Sequence, residues 1–162
     1  MNKIKIFTTG GSIDKVYSTV SSQFEVGAPQ AAAILGEANV GIEYEIEALL
    51  AKDSLELTDA DREMITRRVR EETCRYVLIT HGTDTMVNTA RALTGIPGKV
   101  IVLTGAMQPA AFKHSDAAFN LGFALAALQT LTEGVYIAMN GRVFDPIRVR
   151  KNLQLDRFEE IG

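Results

Sequence analysis

Hydroxyl side chains next to glycines are the residues of this sequence best suited to chemistry. Ser12 closes the segment 8–12 (TTGGS), and Thr83 lies beside an aspartate in the segment 80–85 (THGTDT). An alcohol is a poor nucleophile at neutral pH, so either hydroxyl needs a partner that accepts its proton. Glycines allow close approach of the backbone, whose N–H groups can stabilise an oxyanion. The pattern favours nucleophilic catalysis by a hydroxyl group.

Each of these residues also has a structural explanation. The segment 8–12 could be a tight turn, because Gly and Ser are common turn residues. Asp84 precedes a helical run and could cap a helix. His81 and His114 are expected to be structural or solvated rather than catalytic. Lys151 lies in a short basic run (RVRK), which by itself predicts a solvated surface.

Apolar runs predict the strands that must position these groups: 3–7, 41–50, 76–79, 100–103 and 135–139. The runs 76–79 and 100–103 are unbroken, which is typical of parallel strands covered on both faces. Four helices are predicted. The first spans 30–37, the second begins after a cap at Thr58, the third lies between the strands 76–79 and 100–103, and the fourth spans 117–129 after Ser115 and Asp116. The segment 14–29 predicts a polar loop.

Alternating strands and helices predict an α/β domain of three layers, flavodoxin-like or Rossmann-like, with a mainly parallel sheet of about five strands. One domain over residues 1–162 is expected from the length of the chain. Polar loops follow the predicted strands at 8–12, 52–54, 80–85, 104–109 and 140–142. Ligands of parallel sheets bind at the carboxyl ends of the strands, so we expect these loops to form one pocket.

Composition excludes several classes of function. The net charge of −3 makes binding to nucleic acid unexpected, and no apolar stretch is long enough for a signal peptide or a membrane span. Cys74 is the single cysteine, which indicates a reducing, cytoplasmic setting. The sequence has no CxxC pair, no GxGxxG and no phosphate loop ending in GK[ST]. No metal and no cofactor are predicted, and a small molecule is the expected ligand.

Together the loops resemble those of one family. The segment 8–13 (TTGGSI) is similar to the first signature of the L-asparaginases, TGGTI, and 80–86 (THGTDTM) resembles their second signature, HGTDTM. The segments 105–109 and 115–121 resemble the loop and helix that follow. The resemblance to these bacterial-type, threonine-dependent amidohydrolases covers essentially the whole chain. It implies hydrolysis of the side-chain amide of L-asparagine, or of a closely related small amide, to aspartate and ammonia. The alternative is a non-catalytic amino-acid sensor or binding module.

The resemblance also implies catalytic roles. Ser12 takes the place of the threonine that acts as nucleophile, while Thr83, Asp84 and Lys151 form the second catalytic group. A lysine partly desolvated in the pocket could accept the proton through Thr83. The catalytic tyrosine of the family corresponds either to Tyr17, the nearest phenol, or by its flanks to Phe24.

For the substrate, the resemblance implies a set of binding residues. Ser54 would bind the α-carboxylate and Asp84 the α-ammonium, with Asp53 as a weaker candidate. Ala106 would offer a backbone group to the side-chain amide, and Gly11 would permit close approach of the backbone.

The sequence departs from the family in three respects. Ser12 lacks the methyl group that restricts χ1 in threonine, and the catalytic tyrosine has two candidates. Typical members carry a second, C-terminal domain that these 162 residues do not include, and a homo-oligomer, a dimer or tetramer, is expected to supply the other wall of the pocket. The apolar helix at 117–128 could pack between subunits or cover the sheet of its own domain.

Overall fold

The computed structural model describes residues 3–162. The strands are β1 Ile4–Gly10, β2 Lys15–Ser18, β3 Gln23–Val26, β4 Tyr44–Lys52, β5 Tyr76–Thr80, β6 Val100–Thr104, β7 Gly134–Met139, β8 Arg142–Phe144, β9 Val149–Asn152 and β10 Arg157–Glu160. The helices are α1 Ala31–Glu37, α2 Asp59–Glu71, α3 Met86–Ala92 and α4 Ala117–Thr130, with 3-10 turns at Ser12–Asp14 and Ser54–Glu56. The described residues contain no helix long and apolar enough to cross a membrane.

A six-stranded sheet in the order β4-β1-β5-β6-β7-β8 forms the central layer. All its neighbouring strands are parallel except β8, which is antiparallel to β7. The carboxyl ends of the parallel strands therefore lie at one edge, because parallel strands share a direction. The predicted α/β architecture with a mainly parallel sheet is confirmed.

The two faces of the sheet are covered by different helices because side chains alternate along each strand. Phe7 and Ile79 pack with Ile65 of α2 on one face. Leu78, one position earlier on β5, packs with Leu121 of α4 on the other face. The helix α4 thus covers the sheet of its own chain, which was one of its two predicted roles, and the three layers follow.

The helix α2 begins where the sequence predicts a cap. The Thr58 hydroxyl accepts a hydrogen bond from the Asp61 N–H at 3.1 Å, and Asp61 Oδ2 accepts from the Thr58 N–H at 2.9 Å. This reciprocal capping box satisfies two donors at the helix start.

Two hairpins lie where no strand is predicted. The loop prediction for 14–29 is wrong in part, because β2 and β3 pair there as an antiparallel hairpin. The basic run that contains Lys151 is solvated at Arg148 and Arg150, which are exposed, but it continues into β9, which pairs with β10. Val149 and Phe158 anchor this second hairpin, since both side chains are buried in the core. Such short strands carry weak local patterns, and tertiary contacts decide their structure.

Candidate active site

Three predicted site loops, 8–12, 52–54 and 80–85, contact one another at Gly11 and Gly82. A Cβ atom on Gly11 would lie 2.5 Å from the Cα atom of Gly82, and one on Gly82 would lie 2.7 Å from the Ser54 hydroxyl oxygen. Gly11 also has φ +87°, a conformation that favours glycine. The loops after β1, β4 and β5 therefore pack with almost no space between them, and only glycine fits at two of the contacts.

Hydrogen bonds lock the same loops together. They run from Gly11 N to Lys52 O (2.9 Å), from Thr85 Oγ1 to Ser54 O (2.8 Å), from His81 N to Thr104 O (2.9 Å) and from Ala110 N to Ile13 O (3.1 Å). Each bond joins segments that belong to different strands of the sheet or to the loops after them. The four loops after β1, β4, β5 and β6 thus form one rigid group.

Lys151 brings a charged amine to this group. Its Nζ atom donates to Thr83 Oγ1 at 2.8 Å and lies 2.7 Å from Asp84 Oδ1. The Lys151 side chain is 14% exposed and that of Asp84 is 35% exposed, so the ion pair is shielded on the lysine side. The structure unites three residues that the sequence places in the catalytic group.

Ser12 lies across the glycine contact from Thr83. The two residues directly follow Gly11 and Gly82, whose backbones touch. Ser12 is half-buried at the start of a 3-10 turn, while Thr83 is buried. Ser12 and Thr83 thus belong to the two loops that meet at these glycines, and the half-buried Ser12 hydroxyl is the candidate nucleophile.

Comparisons with known proteins identify the family of the chain. The family model described as "Asparaginase, N-terminal" matches residues 3–161. The chain belongs to the asparaginase family.

Three relatives illustrate the range of the family. The L-asparaginase of Thermococcus kodakarensis is 31% identical over 168 residues, which cover 99% of this chain and 51% of the relative. Its solved structure superimposes with a TM-score of 0.86 over 98% of this chain and 51% of that chain. A glutaminase-asparaginase of Acinetobacter glutaminasificans is 29% identical over 95% of this chain and 51% of its own length. A glutamyl-tRNA(Gln) amidotransferase subunit of Methanococcus vannielii is 42% identical over 73 residues, 44% of this chain and 17% of the relative. The chain spans about half the length of the asparaginases it matches.

The predicted substrate-binding residues differ in their surroundings. Ser54 is buried against Gly82. Asp53 is engaged by its own chain, since its carboxylate accepts from Lys15 Nζ at 2.8 Å and from Leu55 N at 3.0 Å. The bond from Lys15 lowers the Asp53 pKa. Ser54 is therefore held in place, while Asp53 would have to exchange partners to bind a ligand.

Ala106 lies in a loop supported by the start of α4. The Asp116 carboxylate accepts from the N–H groups of Met107 at 2.9 Å and Gln108 at 3.0 Å. Asn120 Nδ2 donates to Gly105 O at 2.9 Å. The predicted cap residue Asp116 thus binds the site loop, not the N–H groups of its own helix.

Tyr17 and Phe24 are paired across the hairpin of β2 and β3. They are register partners, and their ring centroids are 5.5 Å apart with the rings edge to face. Phe24 also contacts Phe112, in the loop before α4, with a centroid distance of 5.3 Å. The two candidates for the catalytic phenol position are thus neighbours on one hairpin, which the aromatic contact fastens to a site loop.

His81 has a structural role in the loop after β5. Its Nδ1 atom lies 2.7 Å from the Gly82 carbonyl oxygen, and its Nε2 atom lies 2.7 Å from Thr89 Oγ1. A carbonyl only accepts, so the proton is assigned to Nδ1 and Thr89 donates to Nε2. Burial lowers the His81 pKa to about 4. The imidazole is neutral and both nitrogens are used, so it is not available as a general base.

Asp14 is a buried acid that the sequence analysis missed. Its carboxylate, two positions after Ser12, is 2% exposed and accepts a hydrogen bond from Gln30 N at 2.9 Å. Burial raises its pKa to about 6. A polar residue directly after TTGGSI was the available signal. Among residues 3–162, no group of three or more His, Cys, Asp or Glu side chains could hold a metal ion.

Proposed function

We propose that this protein hydrolyses the side-chain amide of L-asparagine, or of a closely related small amino-acid amide, to the acid and ammonia without a cofactor. The contact of Lys151 with both Thr83 and Asp84, beside the loop of Ser12, is the observation that carries the proposal. A hydroxyl nucleophile needs a base within hydrogen-bond reach, and this network supplies one.

In the proposed reaction Ser12 Oγ attacks the amide carbon of the substrate. The hydroxyl proton passes through Thr83 to the amine of Lys151. Lys151 then delivers this proton to the amide nitrogen, whose bond to the acyl carbon breaks, so that ammonia leaves. The resulting ester on Ser12 is then hydrolysed by water, which returns the proton to Ser12 and releases the acid. Backbone N–H groups near Gly11 are suited to stabilise the oxyanion, a contribution of about 3 kcal/mol per donor.

Asp84 has two cations to bind in this scheme. In the structure its carboxylate contacts the amine of Lys151 at 2.7 Å, and we assign it the α-ammonium of the substrate as well. A substrate ammonium that binds Asp84 weakens the hold of Asp84 on Lys151.

Asparagine and glutamine are both candidate substrates of the proposed reaction. One methylene separates asparagine from glutamine, and a hydrophobic pocket discriminates such a difference by only about 1–3 kcal/mol. We assign Ser54 to the α-carboxylate, as the family resemblance implies, and its packing against Gly82 holds it in the loop after β4.

Assembly and location are also proposals. We expect a homo-oligomer that closes the pocket, and Phe119 supports it, since this ring is 63% exposed on the outer side of α4 and stacks on Phe123. A cytoplasmic location is supported by the free thiol of Cys74.

Ammonia release from asparagine and glutamine by the purified chain tests the function. We expect turnover that Ser12→Ala and Thr83→Ala each abolish, while Lys113→Met, at an exposed lysine, leaves it unchanged. Calorimetric binding of aspartate by folded protein that releases no ammonia from any small amide would establish the sensor alternative instead.

A further inference from the structure

A groove between α2 and α3 lies outside the candidate active site. It has a volume of about 640 Å³ and is lined by side chains of both helices, among them four arginines: Arg62, Arg67, Arg70 and Arg91. Small-molecule sites commonly have volumes of about 300–1,000 Å³. The groove is therefore large enough for a ligand of the size of a nucleotide.

The charge of the groove is opposite to that of the chain. Two carboxylates, Asp59 and Glu63, accompany the four guanidinium groups in the lining. The lining is thus positive, whereas the whole chain carries a net charge of −3. Concentrating positive charge in a concave surface of an acidic protein attracts anions to that surface.

Most of these guanidinium groups are free to bind. Within residues 3–162, Arg67, Arg70 and Arg91 have no carboxylate within 4.0 Å, and Arg62 has one contact with Asp59 at 3.4 Å. The Nε atom of Arg91 donates to Pro146 O at 2.9 Å, which fixes the side chain and leaves its terminal nitrogens available. Guanidinium forks bind phosphate oxygens through two parallel hydrogen bonds.

The spacing of the arginines limits the ligand. Arg62 and Arg70 are eight positions apart on α2, which corresponds to about 12 Å along the helix axis. A single phosphate is too small to contact both ends of this row, whereas a chain of two or three phosphoryl groups extends along it. Asp59 and Glu63, at the start of α2, can accept hydrogen bonds from O–H or N–H groups elsewhere in the same ligand.

We propose that the groove between α2 and α3 binds a small molecule with two or more linked phosphoryl groups. In this assignment the phosphoryl oxygens are bound by the four arginines of the groove, Arg62, Arg67, Arg70 and Arg91. The lining of the groove contains no residue of the candidate active site, although Arg91 also lines a neighbouring cavity with Asp84 and Lys151. This site therefore does not depend on the proposed hydrolysis of an amide.

Calorimetry with tripolyphosphate, ATP without magnesium, and citrate tests this site in the full chain. We expect one bound tripolyphosphate per chain, a Kd that rises at least tenfold in the double variant Arg67→Gln/Arg70→Gln, and much weaker binding of citrate. The control Arg148→Gln/Arg157→Gln removes the same charge from exposed arginines outside the groove and should change the Kd less than twofold.

Three results would overturn the proposal. Equal weakening in the two double variants would indicate diffuse attraction, equal affinity for citrate would indicate no preference for phosphate, and absence of tripolyphosphate binding would exclude the site. ATP that binds more tightly than tripolyphosphate would identify a nucleotide as the source of the phosphoryl chain, and the reverse order would identify an inorganic or other polyphosphate. Circular dichroism of each variant confirms that a loss of binding is not a loss of folding.

Discussion

The Nζ atom of Lys151 lies 2.8 Å from the hydroxyl oxygen of Thr83, although 68 positions separate the two residues in the chain. The contact depends on the hairpin of β9 and β10, whose buried residues Val149 and Phe158 attach it to the core. Packing of this hairpin thus brings Lys151 to Thr83 and Asp84, and the proposed role of the three residues depends on that packing.

Replacing Lys151 by methionine should abolish the proton relay and leave the fold intact. The methionine keeps most of the side-chain volume but has no amine to accept a proton from Thr83. We expect kcat for ammonia release to fall at least about 100-fold, which is the contribution typical of a general base. Steady-state kinetics checks this. The control is Lys113→Met, and equal activity of Lys151→Met and the unaltered protein would show that Lys151 is no base.

A methyl group at Gly11 should disrupt the contact between the site loops. The new Cβ atom would lie 2.5 Å from the Gly82 backbone at a φ of +87°, so Gly11→Ala should lower the free energy of unfolding by more than about 2 kcal/mol. Urea denaturation measures the change. Gly122→Ala is the matched control, because a Cβ there has no neighbour within 4 Å and the position is within α4.

The control substitution Gly122→Ala should raise the free energy of unfolding. Alanine is favoured over glycine inside a helix by about 1 kcal/mol, so Gly122→Ala should stabilise the protein. An unchanged free energy of unfolding in Gly11→Ala would mean that the loops tolerate the added methyl group and that the contact at Gly11 is not rigid.

The main lines of the fold and of the site could be predicted from the sequence for a physical reason. Unbroken apolar runs such as 100–103 specify buried parallel strands, and parallel strands bring the loops that follow them to one edge. The meeting of Gly11 with Gly82 follows from that rule. Lys151 required the family resemblance, because no local pattern places β9 beside the loop after β5.

Other features had no local signal. Tyr17 and Phe24 pair through a hairpin that contacts the neighbouring ring of Phe112 and the backbone of the buried Asp14. Burial of a carboxyl group depends on how distant elements pack, so the raised pKa of Asp14 could not be predicted from its position in the chain.

Asp14 and His81 should have opposite effects on stability in acid. The folded-state pKa of His81 is lowered from 6.5 to about 4, so its neutral form stabilises the fold above pH 6.5, and this stability is lost as the pH falls toward 4. The pKa of Asp14 is raised from 3.8 to about 6, so its neutral form favours the fold below pH 3.8, and this stability is lost as the pH rises through 6. Each contribution is about 3 kcal/mol at 1.4 kcal/mol per pKa unit.

The free energy of unfolding should therefore depend more steeply on pH in the Asp14→Asn variant. Asparagine keeps an oxygen acceptor for Gln30 N but removes the titration, which leaves the effect of His81 unopposed. Between pH 7 and pH 4 we expect the variant to lose about 3 kcal/mol more unfolding free energy than the unaltered protein. Urea denaturation at several pH values tests this. The control is Glu37→Gln, at an exposed site, whose free energy of unfolding should change with pH as that of the unaltered protein does. The same pH dependence in Asp14→Asn would contradict a raised pKa of Asp14.

Exchange of a single hydroxyl on the hairpin of β2 and β3 should identify the catalytic phenol. Tyr17→Phe keeps the edge-to-face contact with Phe24 at 5.5 Å and removes only the O–H group. If the phenol assists Ser12, kcat should fall about 100-fold while thermal stability stays constant. The double variant Tyr17→Phe/Phe24→Tyr moves the hydroxyl to the partner strand without changing composition. Recovery of kcat in the double variant would place the family's tyrosine at position 24, whereas continued loss would place it at Tyr17. Full activity of Tyr17→Phe alone would show that no phenol on this hairpin takes part.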